Sequence, residues 1–137
     1  MTVNRNIFKE YDIRGVYPKE INQDTVHKIG RGFVEFLKLK AGDEIVVGQD
    51  QRSSSSKLAQ AFISALFDSR INVIDIGKVT TPMLYFAVPF FRAKGGVMIT
   101  ASHITKNSNG IKFTRKDAEP IGGKEIQKIY EITKRLG

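Results

Sequence analysis

The sequence has no cysteine and no tryptophan, and it has no long run of apolar residues. The lack of cysteine excludes disulfides, a cysteine nucleophile and thiolate metal sites. No apolar run approaches the roughly 18–20 residues that cross a membrane. Charged residues also occupy the amino terminus, where a signal peptide would be apolar. We therefore expect a cytoplasmic protein that does not associate with membranes.

Acidic residues are missing from one long stretch. Between residues 76 and 116 there is no Asp or Glu, although the same stretch holds seven Lys and Arg residues, and the whole chain has a formal net charge of +8. Such a basic stretch suits nucleic acid, an anionic surface or a phosphorylated small molecule. We do not expect nucleic acid, because the sequence has no known nucleic-acid motif and no aromatic stripe among its basic residues.

The hydrophobic patterning of the 137 residues alternates between strands and helices. Short apolar segments predict strands at 44–48, 72–76, 97–100 and 110–113, and capping residues predict helices that begin near Asn22 or Asp24, Ser53, Thr80 and Gly122. The first helix is expected to end at Ala41 and Gly42. The segment 83–91 is apolar on nearly every side, which predicts a short buried helix.

This alternation predicts a single α/β domain over residues 1–137. We expect a three-layer α-β-α sandwich with helices on both faces of the sheet. The sheet is expected to be mixed and mostly parallel, with about four strands and an antiparallel edge strand formed by the segment 110–113.

Polar clusters follow two of the predicted strands, at the sheet edge where open α/β sheets bind ligands. Asp50 and Arg52 follow the first strand, and Ser102 and His103 follow the third. Each cluster alone has a structural explanation as a turn, a helix cap or a surface ion pair. Ser102 and His103 are adjacent, so on a strand they would point to opposite faces and need not form a nucleophile–base pair. Together, hydroxyls, an imidazole and glycine turns in an acid-free basic stretch indicate phosphoryl chemistry.

Four segments resemble, in the correct order, the amino-terminal domain of the α-D-phosphohexomutase superfamily, the phosphomannomutase/phosphoglucomutase type. They are FKEYDIRG at 8–15, VGQDQRSS at 47–54, GVMITASH at 96–103 and NGIKF at 109–113. The resemblance runs from about residue 7 to the end of the chain. It implies reversible transfer of a phosphoryl group between the C1 and C6 oxygens of a hexose phosphate, through a hexose 1,6-bisphosphate intermediate that also acts as activator.

The resemblance also implies roles for individual residues. Ser102 matches the family's phosphoserine, which gives its phosphoryl group to the sugar, takes the other one back and binds Mg²⁺ through its phosphate. His103 and Lys112 match positions near the reacting hydroxyl, and either could move its proton. Tyr11 and Arg14 match residues that line the same cleft, where Arg14 suits a bidentate phosphate contact. Two further residues are expected to support the serine loop from behind, namely Asp50 and Arg52.

The sequence departs from the family pattern in its serine loop and in its length. Ile104 and Thr105 stand where the family usually has Asn and Pro, and Ser108 stands where an aromatic residue is common. Family members have four domains, and the further metal ligands and the sugar-selecting loop belong to domains 2–4. The isolated domain is therefore expected to be inactive, with a hexose phosphate and mutase domains 2–4 as its partners.

Two other expectations follow from these departures. Domain boundaries exposed by truncation could drive self-association of the chain. The alternative to a mutase domain is a non-catalytic truncated or engineered interaction or assembly domain, which the altered serine loop favours.

Overall fold

A five-stranded sheet forms the centre of the computed structural model, which describes residues 2–101 and 107–137. The strand order is β1-β5-β4-β2-β3. The strands are β1 (Ile13–Val16), β2 (Glu44–Gln49), β3 (Asn72–Lys78), β4 (Gly95–Ile99) and β5 (Ser108–Arg115). The helices are α1 (Gln23–Phe36), α2 (Ser55–Asp68), α3 (Thr81–Phe90) and α4 (Lys124–Leu136), and two short 3₁₀ helices lie at Arg5–Ile7 and Lys116–Ala118.

The predicted α/β class and mixed sheet are confirmed, with a difference in the number and order of strands. β2 pairs in parallel with both β3 and β4, whereas β5 runs antiparallel to β4 and to β1. The antiparallel strand is therefore internal, and the sheet has five strands where we expected about four with β5 at the edge. β1 escaped prediction because its four residues, with a glycine and an arginine among them, are too short to show a strand periodicity.

The two faces of the sheet carry different numbers of helices. α1 packs against both α2 and α4, and these helices cover the face to which Ile45 and Val47 contribute. Val46, which alternates with them, belongs to a second apolar cluster that contains Leu84 and Val88 of α3. Successive side chains of β2 point to opposite faces of the sheet, so this strand contributes to both apolar clusters. Helices cover both faces of the sheet, as expected.

The predicted helix starts are accurate, and one predicted helix end is wrong. The Asn22 side chain accepts a hydrogen bond from the Thr25 backbone, and the Thr25 hydroxyl accepts one from the Asn22 backbone, which forms a capping box at α1. α1 ends at Phe36 and does not reach Ala41 and Gly42. Its end comes early because Lys38 adopts a left-handed conformation with φ 55°, which no α-helix continues.

The expectation that the segment 83–91 is a buried helix is wrong. α3 begins as predicted, with Thr80 as its cap and a proline in its first turn. However, it lies singly on its face of the sheet, and only Leu84, Ala87 and Val88 are buried. Its outer side therefore exposes large apolar residues, namely Met83, Tyr85, Phe86, Phe90 and the following Phe91.

A bidentate ion pair joins β5 to α4. The Arg115 guanidinium donates to both carboxylate oxygens of Glu125, at 3.0 and 2.5 Å. The hydrogen bonds from Arg115 hold the pKa of Glu125 below its usual value of 4.5, and those to Glu125 raise the pKa of Arg115. Glu125 also lies in the first turn of α4, where the helix dipole favours negative charge.

We expect Glu125→Gln to lower stability by about 0.5–1 kcal/mol at pH 7, a range typical of partly exposed ion pairs. Because folding lowers the pKa of Glu125, its contribution is complete above the unfolded-state pKa and is lost as the pH falls through the folded-state value. Thermal melts should therefore show the full difference between variant and wild type at pH 7, and this difference should shrink as the pH falls through the folded-state pKa of Glu125. Glu131→Gln, on an exposed position of the same helix, is the matched control, and an equal effect there would contradict the account.

No helix within residues 2–101 and 107–137 has both the length and the apolar character needed to span a membrane.

Candidate active site

Asp50 connects three elements at the carboxyl edge of the sheet. It directly follows β2, and its backbone N–H donates to the Ile99 carbonyl at the end of β4, at 2.9 Å. One carboxylate oxygen, Oδ1, accepts from the Arg52 backbone N–H at 3.0 Å and from the Ser55 hydroxyl in the first turn of α2. The other oxygen, Oδ2, accepts from the Ala101 backbone N–H at 3.4 Å. Asp50 thus holds the chain just before residue 102.

Arg52 and Asn109 connect the same region to the start of β5. The Arg52 Nη1 donates to the Ser108 carbonyl at 3.2 Å, and its Nε lies 3.6 Å from Asp50 Oδ2. The amide nitrogen of the fully buried Asn109 donates to the hydroxyls of Ser54 and Ser55, at 2.8 and 2.9 Å. Hydrogen bonds therefore join the amino-terminal end of α2 to Asn109, near the start of β5.

The predicted catalytic residues Ser102 and His103 lie outside the described residues, as do Ile104 and Thr105. The residues on either side of this segment are described. Ala101 is held by Asp50, and the Asn107 carbonyl accepts from the Tyr17 backbone N–H at 2.8 Å. The described residues on either side of 102–106, Ala101 and Asn107, are thus each held by a hydrogen bond.

Arg14 and Lys112 meet on a shared carboxylate. Asp12 Oδ1 lies 2.9 Å from Arg14 Nε, and Asp12 Oδ2 lies 3.4 Å from Lys112 Nζ. The Asp12 side chain is 7% exposed, whereas those of Lys112 and Arg14 are 28% and 41% exposed. Arg14 pairs with Gly110 in the register of β1 and β5, and Lys112 lies two residues further along β5, on the same face. The two cations therefore project together from the face that carries α3.

Asp12 is the residue that sequence analysis missed at this site. It lies in the segment 8–15 that carried the resemblance, but no role was expected for it. A signal was present, because residues two apart on a strand share a face, and Asp12 precedes Arg14 by two. Pairing of β1 with β5, which adds Lys112 to the group, could not be read from local sequence.

The Tyr11 side chain lies beside the loop before α4. It is largely exposed, and its ring edge lies beside Gly122, where an added Cβ would come within 3.3 Å of it. The structure thus brings Asp50 together with Arg52 and brings Arg14 together with Lys112, whereas the Tyr11 ring packs against the loop before α4.

An open cleft of about 670 Å³ lies at the carboxyl edge of the sheet. Its walls include Asp50 and Thr100, which directly follow β2 and β4, Lys112 from β5, Lys78 from the end of β3, and Thr80 from the connection into α3. Two ammonium groups and several hydroxyls in one cleft suit an anionic, hydroxyl-rich ligand. The cleft lies where ligand sites of open α/β sheets form.

The described residues do not fit a metal cage. Within residues 2–101 and 107–137 there is no group of three or more His, Asp or Glu side chains that could hold an ion. Asp12 and Asp50 already accept from, or pair with, protein groups. We therefore derive no chemical step through Mg²⁺ from this chain.

Comparison with known proteins gives the family. Residues 5–137 match the family model described as phosphoglucomutase/phosphomannomutase, alpha/beta/alpha domain I. The chain belongs to this family. It is 42% identical over 130 residues to a phosphomannomutase from Vibrio cholerae, an alignment that covers 90% of this chain and 28% of that protein. A phosphomannomutase from Klebsiella pneumoniae is 42% identical over 128 residues, covering 90% of this chain and 80% of that sequence.

A solved structure agrees with this assignment to domain I of the family. A phosphoglucomutase/phosphomannomutase family protein from Burkholderia thailandensis superposes with a TM-score of 0.87 at 31% identity, covering 98% of this chain and 31% of that one. The phosphoglucomutase/phosphomannomutase domain described here thus spans less than a third of the Vibrio relative and of this structure.

Proposed function

We propose that this domain carries the phosphoserine of a phosphohexomutase, at Ser102, and exchanges a phosphoryl group between C1 and C6 of a hexose phosphate. The observation that carries the proposal is the set of hydrogen bonds by which Asp50, Arg52 and Tyr17 hold the residues that flank 102–106, namely Ala101, Asn107 and Ser108. Thr100, two residues before Ser102 in the chain, lines the cleft together with Lys112. Membership in the phosphoglucomutase/phosphomannomutase family supports the same reading.

The proposed reaction transfers the phosphoryl group of phospho-Ser102 to a free hydroxyl of the hexose phosphate. The bond from phosphorus to the serine oxygen breaks and the bond to the sugar oxygen forms. The proton of the sugar hydroxyl passes to His103 or Lys112, and the freed serine oxygen takes up a proton. The resulting hexose 1,6-bisphosphate reorients and returns its other phosphoryl group to Ser102. Because the transferred group carries negative charge on its oxygens throughout, fixed cations and precise placement are the main contributions a protein can make.

We assign phosphate contact to Arg14 and Lys112, and proton transfer to either His103 or Lys112. Lys112 is ion-paired with Asp12, and a cation held in this way is oriented to bind phosphate oxygens. Arg14 offers a planar fork that matches a phosphate group, and its side chain is partly exposed. Asp50 and Arg52 act as positioning residues, because they contact the chain on both sides of the segment 102–106.

Mutase domains 2–4 are proposed as the partners that supply metal and sugar ligands, because the chain spans 28% of the Vibrio cholerae phosphomannomutase. The experiment is a hybrid in which this chain replaces domain I of that relative. We expect the hybrid to convert mannose 6-phosphate to mannose 1-phosphate, the Ser102→Ala hybrid to be inactive, and the 137-residue chain alone to show no turnover with glucose 1-phosphate, glucose 1,6-bisphosphate and Mg²⁺. A folded hybrid without activity, or one equally active with Ser102→Ala, would contradict the proposal.

The altered serine loop favours one alternative, a domain that has lost turnover and serves in assembly. Ile104 is an apolar residue in a polar segment, and Thr105 lacks the fixed backbone angle of proline. Ile104→Asn with Thr105→Pro in the same hybrid separates the two functions. A large gain in activity would favour the alternative for the natural sequence, whereas little change would favour the mutase assignment.

A further inference from the structure

We propose that Asp12 is a positioning residue whose negative charge holds Arg14 and Lys112 together, so that the two cations act as one site for the phosphate group of a hexose phosphate. We call Arg14 and Lys112 the cation pair. The inference rests on the proposed function for the identity of the ligand, and it gives a role to a residue for which the sequence predicted none. All three residues lie within the part of the chain that the structure describes.

Strand pairing brings the three charged side chains together. Asp12 directly precedes β1, and the antiparallel register of β1 and β5 places it opposite Lys112. Opposite charges at such a cross-strand position attract each other. Arg14 pairs with Gly110, and a Cβ added at Gly110 would come within 3.1 Å of the Arg14 Cγ. The Arg14 side chain therefore passes over Gly110 toward Asp12, through space that any larger residue would fill.

The Asp12 carboxylate lies between two cations that would otherwise repel each other. Its Oδ1 lies 2.9 Å from Arg14 Nε, and its Oδ2 lies 3.4 Å from Lys112 Nζ. Neither Oδ1 nor Nε makes a hydrogen bond within the described part of the chain, and 3.4 Å is longer than an ordinary hydrogen bond. Charge therefore holds this group together. Because the side chains of Arg14 and Lys112 are 41% and 28% exposed, they can separate into water when that charge is removed.

The contacts with Asp12 leave most donors of the cation pair for a ligand. Within residues 2–101 and 107–137, neither cation has a second ion pair, so both Nη nitrogens of Arg14 remain for phosphate oxygens. An arginine fork matches two such oxygens, and an ammonium group adds a point charge beside it. One carboxylate against two cations leaves an excess of positive charge, which attracts an anion. Lys112 lines the cleft, so this excess charge faces the proposed substrate.

A carboxylate in an anion site has two opposite effects on phosphate binding. Its charge repels the phosphate, which lowers affinity, but it also keeps the cation pair together, which raises affinity. Removal of the charge should therefore change KM little. The chemical step responds differently, because phosphoryl transfer depends above all on the placement of the transferred group and of the charges around it. We therefore expect Asp12→Asn, which keeps the shape of the side chain and removes its charge, to act mainly on kcat.

Steady-state kinetics of the Vibrio cholerae hybrid test the proposal. We expect Asp12→Asn to lower kcat by about tenfold or more and to change KM for mannose 6-phosphate by less than about threefold. Asp24→Asn is the matched control, because Asp24 also lies 3.4 Å from a lysine, Lys28, but on α1, which covers the other face of the sheet. A KM effect larger than the kcat effect, unchanged constants in a folded Asp12→Asn hybrid, or an equal loss with Asp24→Asn would overturn the proposal.

A combined variant separates positioning from a general loss of stability. If Asp12 acts by holding two cations together, its charge has no second cation to hold once Arg14 is replaced. In an Arg14→Gln hybrid, Asp12→Asn should therefore lower kcat by less than about threefold. A loss as large as that in the hybrid with Arg14 intact would show that Asp12 acts independently of the cation pair and would contradict the proposal.

Phosphate binding by the 137-residue chain tests the site without any turnover and, in its wild-type part, without any variant. Inorganic phosphate up to about 50 mM should shift the side-chain carbon NMR signals of Arg14 and Lys112 with one shared dissociation constant. In Asp12→Asn the two signals should follow constants that differ by more than about threefold, because separated cations bind anions independently. This result in the chain, with an inactive hybrid, would contradict the mutase assignment and support the cation pair. Signals that do not shift, or that follow separate constants in the wild-type chain, would overturn the inference.

Discussion

Replacing Asp50 by alanine should lower the activity of the hybrid enzyme by about 100-fold or more and destabilise the isolated chain by about 2–3 kcal/mol. The loss of stability follows from the donors that the carboxylate satisfies. The Arg52 and Ala101 backbone N–H groups and the Ser55 hydroxyl all donate to it. Leaving partly buried donors without an acceptor costs about 1–3 kcal/mol for each such group, only part of which water can recover.

The loss of activity follows from the position of Asp50, which accepts a hydrogen bond from the Ala101 backbone. Without Asp50 the Ala101 backbone loses its anchor directly before Ser102, and a displacement of about 1 Å at a reacting group can cost about 100-fold in rate. Asp43→Ala is the matched control. Its carboxylate also accepts from a backbone N–H, that of Lys40 at 2.7 Å, but it lies in the turn before β2, at the other end of that strand. Thermal melts and hybrid turnover measure the two effects, and similar losses for both variants would contradict the account.

Replacing Gly110 by alanine is expected to cost about 2–3 kcal/mol, which corresponds to a fall in melting temperature of roughly 10 °C for a domain of this size. An added Cβ at Gly110 would overlap the backbone carbonyl of Ile13 and come within 3.1 Å of the Arg14 side chain. Backbone atoms of a paired strand cannot move aside as a side-chain tip can, so β1 and β5 must separate locally.

The same substitution should reduce turnover of the hybrid, because Arg14 lies directly opposite Gly110 on β1 and Lys112 lies two residues further along β5. Gly122→Ala is the control, since the nearest atom to its added Cβ is the edge of the Tyr11 ring at 3.3 Å. We expect that variant to melt within about 2 °C of wild type. If Gly110→Ala melts like Gly122→Ala, the packing of β1 on β5 described here is wrong.

The sequence predicted most of the strands and helices, but it did not predict the edge strand β1 or the exposure of α3. The alternation of apolar segments was enough to predict β2, β3, β4, β5 and the helix starts at Asn22 and Thr80, because these depend on local patterning and capping. β1 was missed because a strand of four residues is too short to be recognised from its own sequence and is defined by its pairing with β5. The exposure of α3 was missed because hydrophobicity predicts that a surface will be covered but does not specify the partner that covers it.

The candidate site likewise has parts that the sequence predicted and parts that only the three-dimensional structure shows. The resemblance identified Asp50, Arg52, Arg14 and Lys112 as candidates, and strand polarity predicted that Asp50 and Arg52 would lie at the carboxyl edge of the sheet. The role of Asp12 as the common partner of Arg14 and Lys112 depended on the register between two strands that are far apart in the chain. Such register is fixed by tertiary packing and is not encoded in local sequence.

Phosphopeptide mapping of the hybrid enzyme after incubation with isotopically labelled hexose 1,6-bisphosphate tests the central claim most directly. The account predicts one phosphoryl group per chain, located on Ser102, whose isotopic label passes to the sugar when excess unlabelled hexose monophosphate is added, and which is absent from the Ser102→Ala hybrid. An active hybrid whose phosphoryl group lies on another residue, or that turns over with Ser102 unmodified at every stage, would contradict it.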